Sequence, residues 1–479
     1  MNHTIRICLA ISVFGMVSLA RGADVVSIWG GARGTTILKS DGTVWTWGAN
    51  FSGKLGVGAG PNTLTNMDVP VEVHGPGNVS FLNSIKTIMG GEMHNMALKS
   101  DGTLWSWGMN GLGQLGDGTI NDAWTPVQTG LTAVPPLTNV IKLGGRPYFS
   151  LAVRTDGTIW AWGMNSYGQM GNGTISLGAT QQVLVPVMVS NSEPGGPINS
   201  PVQVTCGYQF GAALTTNRTV WTWGSGSHGE LGDGATTANY IPVQVPGLTN
   251  IIAISAGWFH ILALKADGTV WGWGNNTHGE VGDGGAVNRF NPVQVLNVSN
   301  AVVVSGGDGH SSALADGTVW KWGLDDVGEL GNGTTNGGAN SMPAKILLDK
   351  FGAPFTNIVM ASARDYHNIA VKADGSVWMW GANDRGQCGN GTTNDTWAPT
   401  PVVSLGARVG LPVTVAAAAQ PGYANVAWSS ATGQYFSVEY STNLANGFTG
   451  WQSNLVATPP INVVTVPMTN GQGFYRLKF

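Results

Sequence analysis

Charged residues are scarce in this chain of 479 residues. Asp, Glu, Lys and Arg make up only 10% of it, and the net charge at pH 7 is −4. A weakly acidic protein with so few lysines and arginines has no basic stripe that could follow a phosphate backbone. The composition therefore excludes nucleic acid as the expected partner.

Long apolar runs are missing beyond the N-terminus. No later stretch reaches the ~20 apolar residues that a membrane-spanning helix needs, so we expect no membrane span. The first residues have the parts of an export signal: a basic start at Met1–Arg6, an apolar segment at Ile7–Leu19, and small residues up to Gly22 for cleavage. The sequence predicts that residues 1–22 are a signal peptide and that the protein is secreted, periplasmic or on the cell surface.

Motifs of common catalytic sites are also missing. The chain has no Gly-x-Ser-x-Gly elbow, no His-Glu-x-x-His motif and no phosphate-binding loop, so we expect no enzyme and no cofactor. Only two cysteines follow residue 22. Cys206 and Cys388 stand at positions typical of small apolar core residues, and we expect both thiols to be free and buried.

What the chain has in abundance is tryptophan, with 20 residues, and glycine, with 72. Many of them belong to the tract Asp-Gly-Thr-Val-Trp-x-Trp-Gly, which recurs seven times at intervals of 49 to 61 residues. Such a period is typical of a propeller, a solenoid or an array. The seven copies begin at Asp41, Asp101, Asp156, Asn217, Asp267, Asp316 and Asp374.

Four short β-rich segments fill every repeat, separated by Gly, Asn, Asp and Pro. In the fifth repeat they are Val270–Trp273, Pro292–Leu296, Ala301–Ser305 and Ser311–Leu314. Such runs are typical of strands joined by turns, and four antiparallel strands make one propeller blade. The sequence predicts 28 strands in an all-β, seven-bladed β-propeller over residues 23–408.

The two ends of the repeat region are out of phase with each other. The chain starts with the last two strand types, at Val25–Ile28 and Thr35–Leu38, and the repeats finish with the first two, at Val377–Trp380 and Pro401–Ser404. We expect one blade to take strands from both termini, because such N/C-terminal strand closure leaves no unpaired sheet edge.

The tryptophan pairs and one set of histidines could also be read as sites. The two Trp of each tract, such as Trp45 and Trp47, lie at i and i+2 and share one strand face, which favours packing between blades over stacking on sugars. Equivalent histidines on neighbouring blades should lie ~10 Å apart, too far to share a metal ion. We predict imidazoles bonded to turns and no metal. These histidines are His94, His260, His310 and His367.

The repeat resembles a known family. The run Gly91–Gly118 follows, almost letter for letter, the repeat of the regulator of chromosome condensation family. The resemblance implies a seven-bladed propeller. The founding member acts on a nuclear small GTPase and on chromatin, whereas an exported bacterial member inhibits β-lactamases with one loop-bearing face. The export signal favours the second kind of role, binding a protein, and disfavours nucleotide exchange.

The last residues, 411–479, break the repeat. Alternating segments at 413–417, 424–428, 436–440, 461–466 and 474–477 predict a small β-sandwich that resembles fibronectin-like or immunoglobulin-like modules. Adhesion, anchoring and spacing are its alternative roles.

The repeats differ most in the short segment before the histidine position. Equivalent segments of seven blades should form a ring on one face, and their Trp, Tyr, Arg and Met are types enriched at protein interfaces. We predict that this ring binds a protein, with aromatic anchors and charged specificity contacts. The alternatives are a lectin-like propeller that binds carbohydrate and, second, guanine-nucleotide exchange. The predicted binding residues are Arg33, Glu92, Met93, Arg146, Tyr148, Tyr208, Trp258, Phe259, Asp308, Arg364, Asp365 and Tyr366.

Overall fold

The computed structural model describes most of the chain after residue 24. It covers residues 25–403 apart from 59, 61–65, 134, 177–181, 191–197 and 199, together with residue 405 and six strands between 414 and 478. The predicted signal peptide lies outside the described residues. In this part of the chain, no helix is long and apolar enough to cross a membrane.

The first 28 strands form seven antiparallel sheets of four consecutive strands, and this confirms the predicted seven-bladed propeller. Blade 1 has β1 (Val25–Gly31), β2 (Gly34–Lys39), β3 (Val44–Gly48) and β4 (Met67–Glu72). Blade 2 has β5 (Ile85–Gly90), β6 (His94–Lys99), β7 (Leu104–Gly108) and β8 (Ala123–Gln128). Blade 3 has β9 (Val140–Arg146), β10 (Phe149–Arg154), β11 (Ile159–Met164) and β12 (Gln182–Met188). Blade 4 has β13 (Pro201–Cys206), β14 (Phe210–Thr215), β15 (Val220–Gly224) and β16 (Asn239–Gln244).

The remaining blades repeat the arrangement. Blade 5 has β17 (Ile251–Ala256), β18 (His260–Lys265), β19 (Val270–Gly274) and β20 (Arg289–Gln294). Blade 6 has β21 (Ala301–Gly306), β22 (His310–Ala315), β23 (Thr318–Gly323) and β24 (Asn340–Lys345). Blade 7 has β25 (Ile358–Arg364), β26 (His367–Lys372), β27 (Val377–Gly381) and β28 (Thr396–Pro401). Two 3-10 turns lie in blade 1 and after it, at Phe51–Gly53 and Pro76–Asn78.

The first strand of every blade is the innermost. The strands β1, β5, β9, β13, β17, β21 and β25 contact each other in order around a ring, and β25 returns to β1. These seven strands therefore surround a central channel, and the fourth strands lie at the outer rim.

The predicted strand exchange between the termini is wrong. β1 and β2 pair with β3 and β4 of their own repeat, whereas β27 and β28 pair with β25 and β26. The reason is local: the turn at Asp41–Gly42 joins β2 to β3 as a tight hairpin in which Leu38 lies opposite Val44. A short hairpin of this kind fixes which strands pair, so each blade begins with its innermost strand.

The ring closes through the same contact that joins every other pair of blades. The second Trp of each tract is at most 1% exposed, and its indole N–H donates to a backbone carbonyl of the preceding blade. The donor–acceptor distances are 2.7–3.0 Å, for Trp47 to Gln387, Trp107 to Lys54, Trp162 to Gln114, Trp223 to Gln169, Trp273 to Glu230, Trp322 to Glu280 and Trp380 to Glu329. The Trp47 bond joins blade 1 to blade 7. The interpretation of these tryptophans as core residues is confirmed.

A glycine makes room for each buried indole. Gly56 has a φ of +67°, and a Cβ atom there would lie 2.8 Å from the ring of Trp107. Only glycine fits both the positive φ and this close approach. The same arrangement occurs where the ring closes, with Gly389 against Trp47.

The segment after β28 also takes part in closure. Val402 and Leu405 are buried with Val25 and Ile28 in the core between blades 7 and 1. The Lys39 ammonium donates a hydrogen bond to the Leu405 carbonyl. The propeller therefore uses the chain at least as far as residue 405.

Each of the four imidazoles forms a hydrogen bond with a side chain of the next blade. The predicted hydrogen bond to a turn is therefore wrong. His94 Nε2 lies 2.8 Å from the Ser150 hydroxyl of the next blade. His260 pairs in the same way with Ser311, His310 with Asn368, and His367 with Thr35 across the closure. Burial lowers the pKa of His94 to about 3 and the pKa of His260 and His367 to about 4. These imidazoles are therefore neutral at pH 7.

Both cysteines of the propeller are free and buried, as expected. Burial raises the pKa of the Cys388 thiol to about 12 and also raises that of Cys206. Neither thiol is a thiolate at neutral pH.

Six strands follow the propeller. They are β29 (Thr414–Ala417), β30 (Tyr423–Ser429), β31 (Tyr435–Ser441), β32 (Thr449–Val456), β33 (Ile461–Pro467) and β34 (Phe474–Lys478). Five coincide with the predicted segments, and β32 was not predicted. They form two three-stranded sheets, ordered β29-β30-β33 and β32-β31-β34. Stacking of the two sheets into a sandwich stays a prediction.

Closure by this repeated contact makes a testable prediction. Trp47→Phe and Trp322→Phe each remove the indole donor of a buried carbonyl that keeps one further donor, the Thr35 hydroxyl at Gln387 and the Ser311 hydroxyl at Glu280, so each should cost on the order of 1 kcal/mol. We expect equal losses in the free energy of unfolding, measured with urea, because the two carbonyls have matching donors across the closure and within the ring. Trp397→Phe is the control, since Trp397 is 50% exposed on β28. A much smaller loss for Trp47→Phe would mean that the ring closes by other contacts.

Candidate binding face

The predicted binding residues lie in the loops between the first and second strands of the blades or, for Arg146 and Arg364, at the end of the first strand. Because the first strands surround the channel, these loops meet around one of its mouths. We call this side of the propeller the loop face. The structure thus brings the predicted segments together, but it orients their side chains in two different ways.

The charged residues of the ring turn inward, unlike the exposed specificity contacts that we expected. Arg146 is 2% exposed, Glu92 5%, Asp365 5%, Asp308 7% and Arg364 8%. The physical reason is convergence: the innermost strands end close together, so charged side chains of different blades contact each other instead of water. Arg33 alone among these charges is exposed, and its guanidinium lies 2.7 Å from Asp384.

Arg146 crosses the channel mouth from the end of β9. Its Nη1 atom lies 3.3 Å from Glu92 Oε1 and 3.2 Å from Asp308 Oδ1. Its Nη2 atom donates to the backbone carbonyls of Ala256, at 2.8 Å, and Gly306, at 3.1 Å. One guanidinium therefore ties blade 3 to blades 2, 5 and 6.

Further bonds join the loops of blades 1, 5 and 7 to this centre. The Arg33 amide donates to Asp365 Oδ2 at 3.0 Å, and the Asp308 amide donates to the Asp365 carbonyl at 3.3 Å. The indole of Trp258 donates to Glu92. We call Glu92, Arg146, Asp308 and Asp365 the channel plug, because they fill the mouth with buried polar contacts.

The plug holds more acid than one guanidinium can compensate. Burial raises the pKa of Glu92, and the nearby Asp365 raises it further, whereas Arg146 lowers it. Burial also raises the pKa of Asp308 well above its usual value, with Glu92 and Asp365 adding to the effect. Desolvation disfavours the ionised carboxylates more than Arg146 favours them.

Carboxylate oxygens of Glu92, Asp308 and Asp365 lie within 4.8 Å of one another, a spacing that a metal ion could use. Arg146 already donates to two of these carboxylates. The Arg146 guanidinium therefore already supplies a positive charge to this cluster, which we assign to the plug.

The predicted aromatic residues of blades 3 to 5 lie outside the plug and contact each other. Tyr148 and Tyr208 have ring centroids 5.3 Å apart, and Tyr208 lies 5.2 Å from Trp258 and 5.4 Å from Phe259. His228 extends this row, with its ring centroid 4.5 Å from that of Phe259. We call these five residues the aromatic arc. All are partly exposed.

The structure leaves other predicted residues outside the arc. Met93 and Tyr366 are partly exposed in blades 2 and 7, and neither belongs to the row of aromatic contacts. Burial raises the pKa of Tyr366 to about 12, and Asp308 and Asp365 add to the increase. Arg364 turns into the channel, where its guanidinium lies 4.4 Å from the centroid of the Trp29 ring.

His228 is a member of the arc that sequence reasoning missed. It lies in the loop after β15, next to Glu230, whose hydrogen bond raises the pKa of the imidazole. The signal was present in the sequence, because His228 follows the place where the fourth repeat loses the Asn of its motif.

Comparison with known proteins identifies the repeat. The family model of the RCC1-like domain matches residues 69–424. The chain is 32% identical over 249 residues to the ultraviolet-B receptor UVR8 of Arabidopsis thaliana, covering 51% of this chain and 52% of the receptor. It is 31% identical over 241 residues to the E3 ubiquitin-protein ligase HERC2 of Homo sapiens, covering 50% of this chain and 5% of the ligase.

Solved structures show the same fold at lower identity. Human WBSCR16 has a TM-score of 0.64 and 24% identity, covering 77% of this chain and 96% of its own. Prp20p from Saccharomyces cerevisiae has a TM-score of 0.62 and 24% identity, covering 77% of this chain and 87% of its own. This chain spans about half of the receptor and a small part of the ligase.

The buried carboxylates of the plug predict how the stability of the protein depends on pH. Asp308 has a folded pKa above its unfolded value of ~3.9, so between these two pKa values the native protein binds more protons than the unfolded chain. Its contribution to stability therefore falls as the pH rises through that window. Asp308→Asn removes this titration, so its stability relative to the wild type, measured by urea unfolding, should increase from acidic to neutral pH.

Asp267→Asn is the matched control, because the hydrogen bond from the Thr269 hydroxyl lowers the pKa of Asp267. Its stability relative to the wild type should change with pH in the opposite direction. The interpretation of the plug is wrong if the relative stability of Asp308→Asn stays constant or falls as the pH rises.

Proposed function

The chain belongs to the family of RCC1-like domains, and from this premise we propose that it is an exported binding protein without catalytic activity. In this proposal the loop face contacts a protein partner. The aromatic arc is the observation that carries it.

The arc has the composition of an interface centre. Tyr and Trp supply large contact areas at a small cost in conformational entropy and dominate interface hot spots. In the arc, Tyr208 contacts Tyr148, Trp258 and Phe259 at ring centroid distances of 5.2 to 5.4 Å. These partly exposed rings hold each other in place before any partner binds, which lowers the entropy lost on binding.

The plug supports the arc from below. The Trp258 indole donates to Glu92, which also accepts from Arg146. The Tyr208 amide donates to the Trp258 carbonyl at 2.8 Å, linking the loops of blades 4 and 5. Loops fixed in this way resemble a rigid binding surface.

The inward turn of the charges favours a protein over a sugar as the partner. Sugar recognition combines aromatic stacking with several hydrogen bonds to hydroxyl groups, and apart from Arg33 the ring charges that could make those bonds are at most 8% exposed. The arc instead offers a mostly apolar surface with few polar groups, as at the centre of a protein interface. Carbohydrate binding remains the alternative outcome of the experiment below.

Relatives support protein binding as the class of function. Prp20p is described by its binding properties to Gsp1p and histones, and yeast RCC1 (Prp20) by a structure with Kap60 bound. An identity of 24% supports the fold alone, so protein binding is carried over only as part of this proposal, and none of these partners is. Nucleotide exchange would require a GTPase inside the cell, whereas the first 22 residues favour export.

Export has a direct test. Expressed with its own N-terminus in a bacterial host with a general secretion pathway, the full chain should be recovered outside the cytoplasm. N-terminal sequencing should then begin close to residue 23, because Ser18–Gly22 provides the small residues that signal peptidase requires. Recovery of a chain that still starts at Met1 in the cytoplasm would contradict export.

Binding by the arc is tested with substitutions in the full chain. Trp258→Ala and Phe259→Ala should each weaken the binding of a captured partner by on the order of 2 kcal/mol, which is about a thirtyfold increase in Kd. The reason is that the variant loses the desolvated contact of an aromatic anchor. The partner is first isolated from exported proteins with the wild-type chain, and isothermal titration then gives the Kd of each variant.

Phe351→Ala is the matched control, since Phe351 is an exposed aromatic residue in the loop after β24, away from the arc. It should leave the Kd unchanged. Equal affinity in all three variants would exclude the arc as the binding surface. Displacement of the partner by simple sugars would instead support the lectin-like alternative.

A further inference from the structure

The central channel contains a cavity of about 170 Å³. It is lined by the innermost strands of blades 1, 4, 5, 6 and 7, and Arg364 lies at its boundary with the plug. The cavity differs from the loop face in chemistry. Its wall combines the Trp29 ring and aliphatic side chains with hydroxyl groups, the Gln203 amide and a single guanidinium.

Arg364 is a buried cation that makes no ion pair with a described residue: burial and the nearby Arg146 lower its pKa, whereas the charges of Glu92 and Asp308 raise it only from a distance. Arg364 is 8% exposed, and its Nε–H group is buried without a hydrogen-bond acceptor. Among the described residues, no carboxylate oxygen lies within 4.0 Å of its guanidinium. Arg146, at the equivalent strand end of blade 3, has two carboxylates and two carbonyls as partners.

An unpaired buried charge is one of the least favourable features that a protein can retain. The Trp29 ring, 4.4 Å from the guanidinium, offsets part of this cost through a cation–π contact. It supplies no acceptor for the guanidinium N–H groups, which need acceptors in the plane of the guanidinium. Although burial lowers the pKa of Arg364 to about 9, the group is still charged at neutral pH.

The opposite wall offers hydrogen-bond donors. Thr205 Oγ1 accepts from the Ala256 amide at 3.2 Å, and Ser255 Oγ accepts from the Gly306 amide at 3.1 Å. Among the described residues neither of these hydroxyls donates to a protein acceptor, so its proton is available for a ligand in the cavity. The wall therefore presents a cation and O–H donors, which are the groups that bind oxyanions.

We propose that the channel binds a small oxyanion, a carboxylate or an inorganic phosphate, that pairs with Arg364 and accepts from Thr205 and Ser255. The size of the cavity restricts the ligand to a few heavy atoms, because sites for drug-sized molecules occupy ~300–1,000 Å³. The proposal is independent of the function of the loop face.

The test uses the full chain and a panel of sodium salts. Acetate, butyrate, phosphate and sulfate are compared with chloride at equal ionic strength, by isothermal titration and by the shift in Tm. At least one oxyanion should bind the wild type with a measurable Kd and raise its Tm above the chloride reference. Comparing the Kd values of acetate and butyrate with that of phosphate shows whether the site prefers a carboxylate or phosphate.

Arg364→Met keeps much of the volume of the side chain and removes its charge. We expect the Kd of the preferred oxyanion to increase at least tenfold, while the Tm in chloride stays equal to that of the wild type or rises. Arg385→Met is the matched control because Arg385 is a partly exposed arginine outside the cavity. It should bind the oxyanion as the wild type does.

A second measurement applies if Arg364→Met does not fold. Oxyanion binding next to Trp29 should change the tryptophan fluorescence of the wild type, and Trp29→Phe should lose that change. No oxyanion binding to the wild type, equal binding by Arg364→Met, or an equal fluorescence change in Trp29→Phe would each overturn the proposal.

Discussion

The hydrogen bond from a buried indole to the preceding blade is the contact on which the propeller depends. An indole has one donor and no acceptor, and each second Trp meets a backbone carbonyl that has a fixed position in the neighbouring repeat. Because Trp47 meets Gln387 at 2.8 Å, as Trp223 meets Gln169 at 2.8 Å, the first and last blades meet like any other pair. The ring therefore needs no shared blade, and Val402 and Leu405 complete the core where it closes.

The repeat was enough to predict the number of blades, but not which of the four strand types begins each blade. Seven Trp pairs and four strand types predict 28 strands whichever type comes first. The first strand of a blade depends on which consecutive strands form a tight hairpin. The turn at Asp41–Gly42 joins β2 to β3 in this way and pairs Leu38 with Val44. Cyclic order alone could not distinguish a blade that begins at Val25 from a blade built across both termini, because both arrangements leave every strand paired.

The candidate site was predictable in position but not in orientation. Tyr148, Tyr208 and Trp258 occupy equivalent loops of adjacent blades, so counting repeats places them side by side. The burial of Arg146 follows from a distance that no local pattern contains, because its acidic partners Glu92 and Asp308 lie 54 and 162 residues away in sequence. Strands that converge on a channel turn charged loop residues towards each other and leave aromatic residues at the surface.

Blade 7 joins the two chemistries of the channel mouth. Arg364 and Asp365 are consecutive, yet Arg364 lies against Trp29 in the channel whereas Asp365 belongs to the plug. Asp365 has a φ of +41° and Arg33 a φ of +51°, conformations that residues with a Cβ rarely adopt. The bond from the Arg33 amide to the Asp365 carboxylate holds these two turns together. Strain at this position is offset by a contact between blades 1 and 7, so the turn that separates the buried cation from the acidic plug depends on the closed ring.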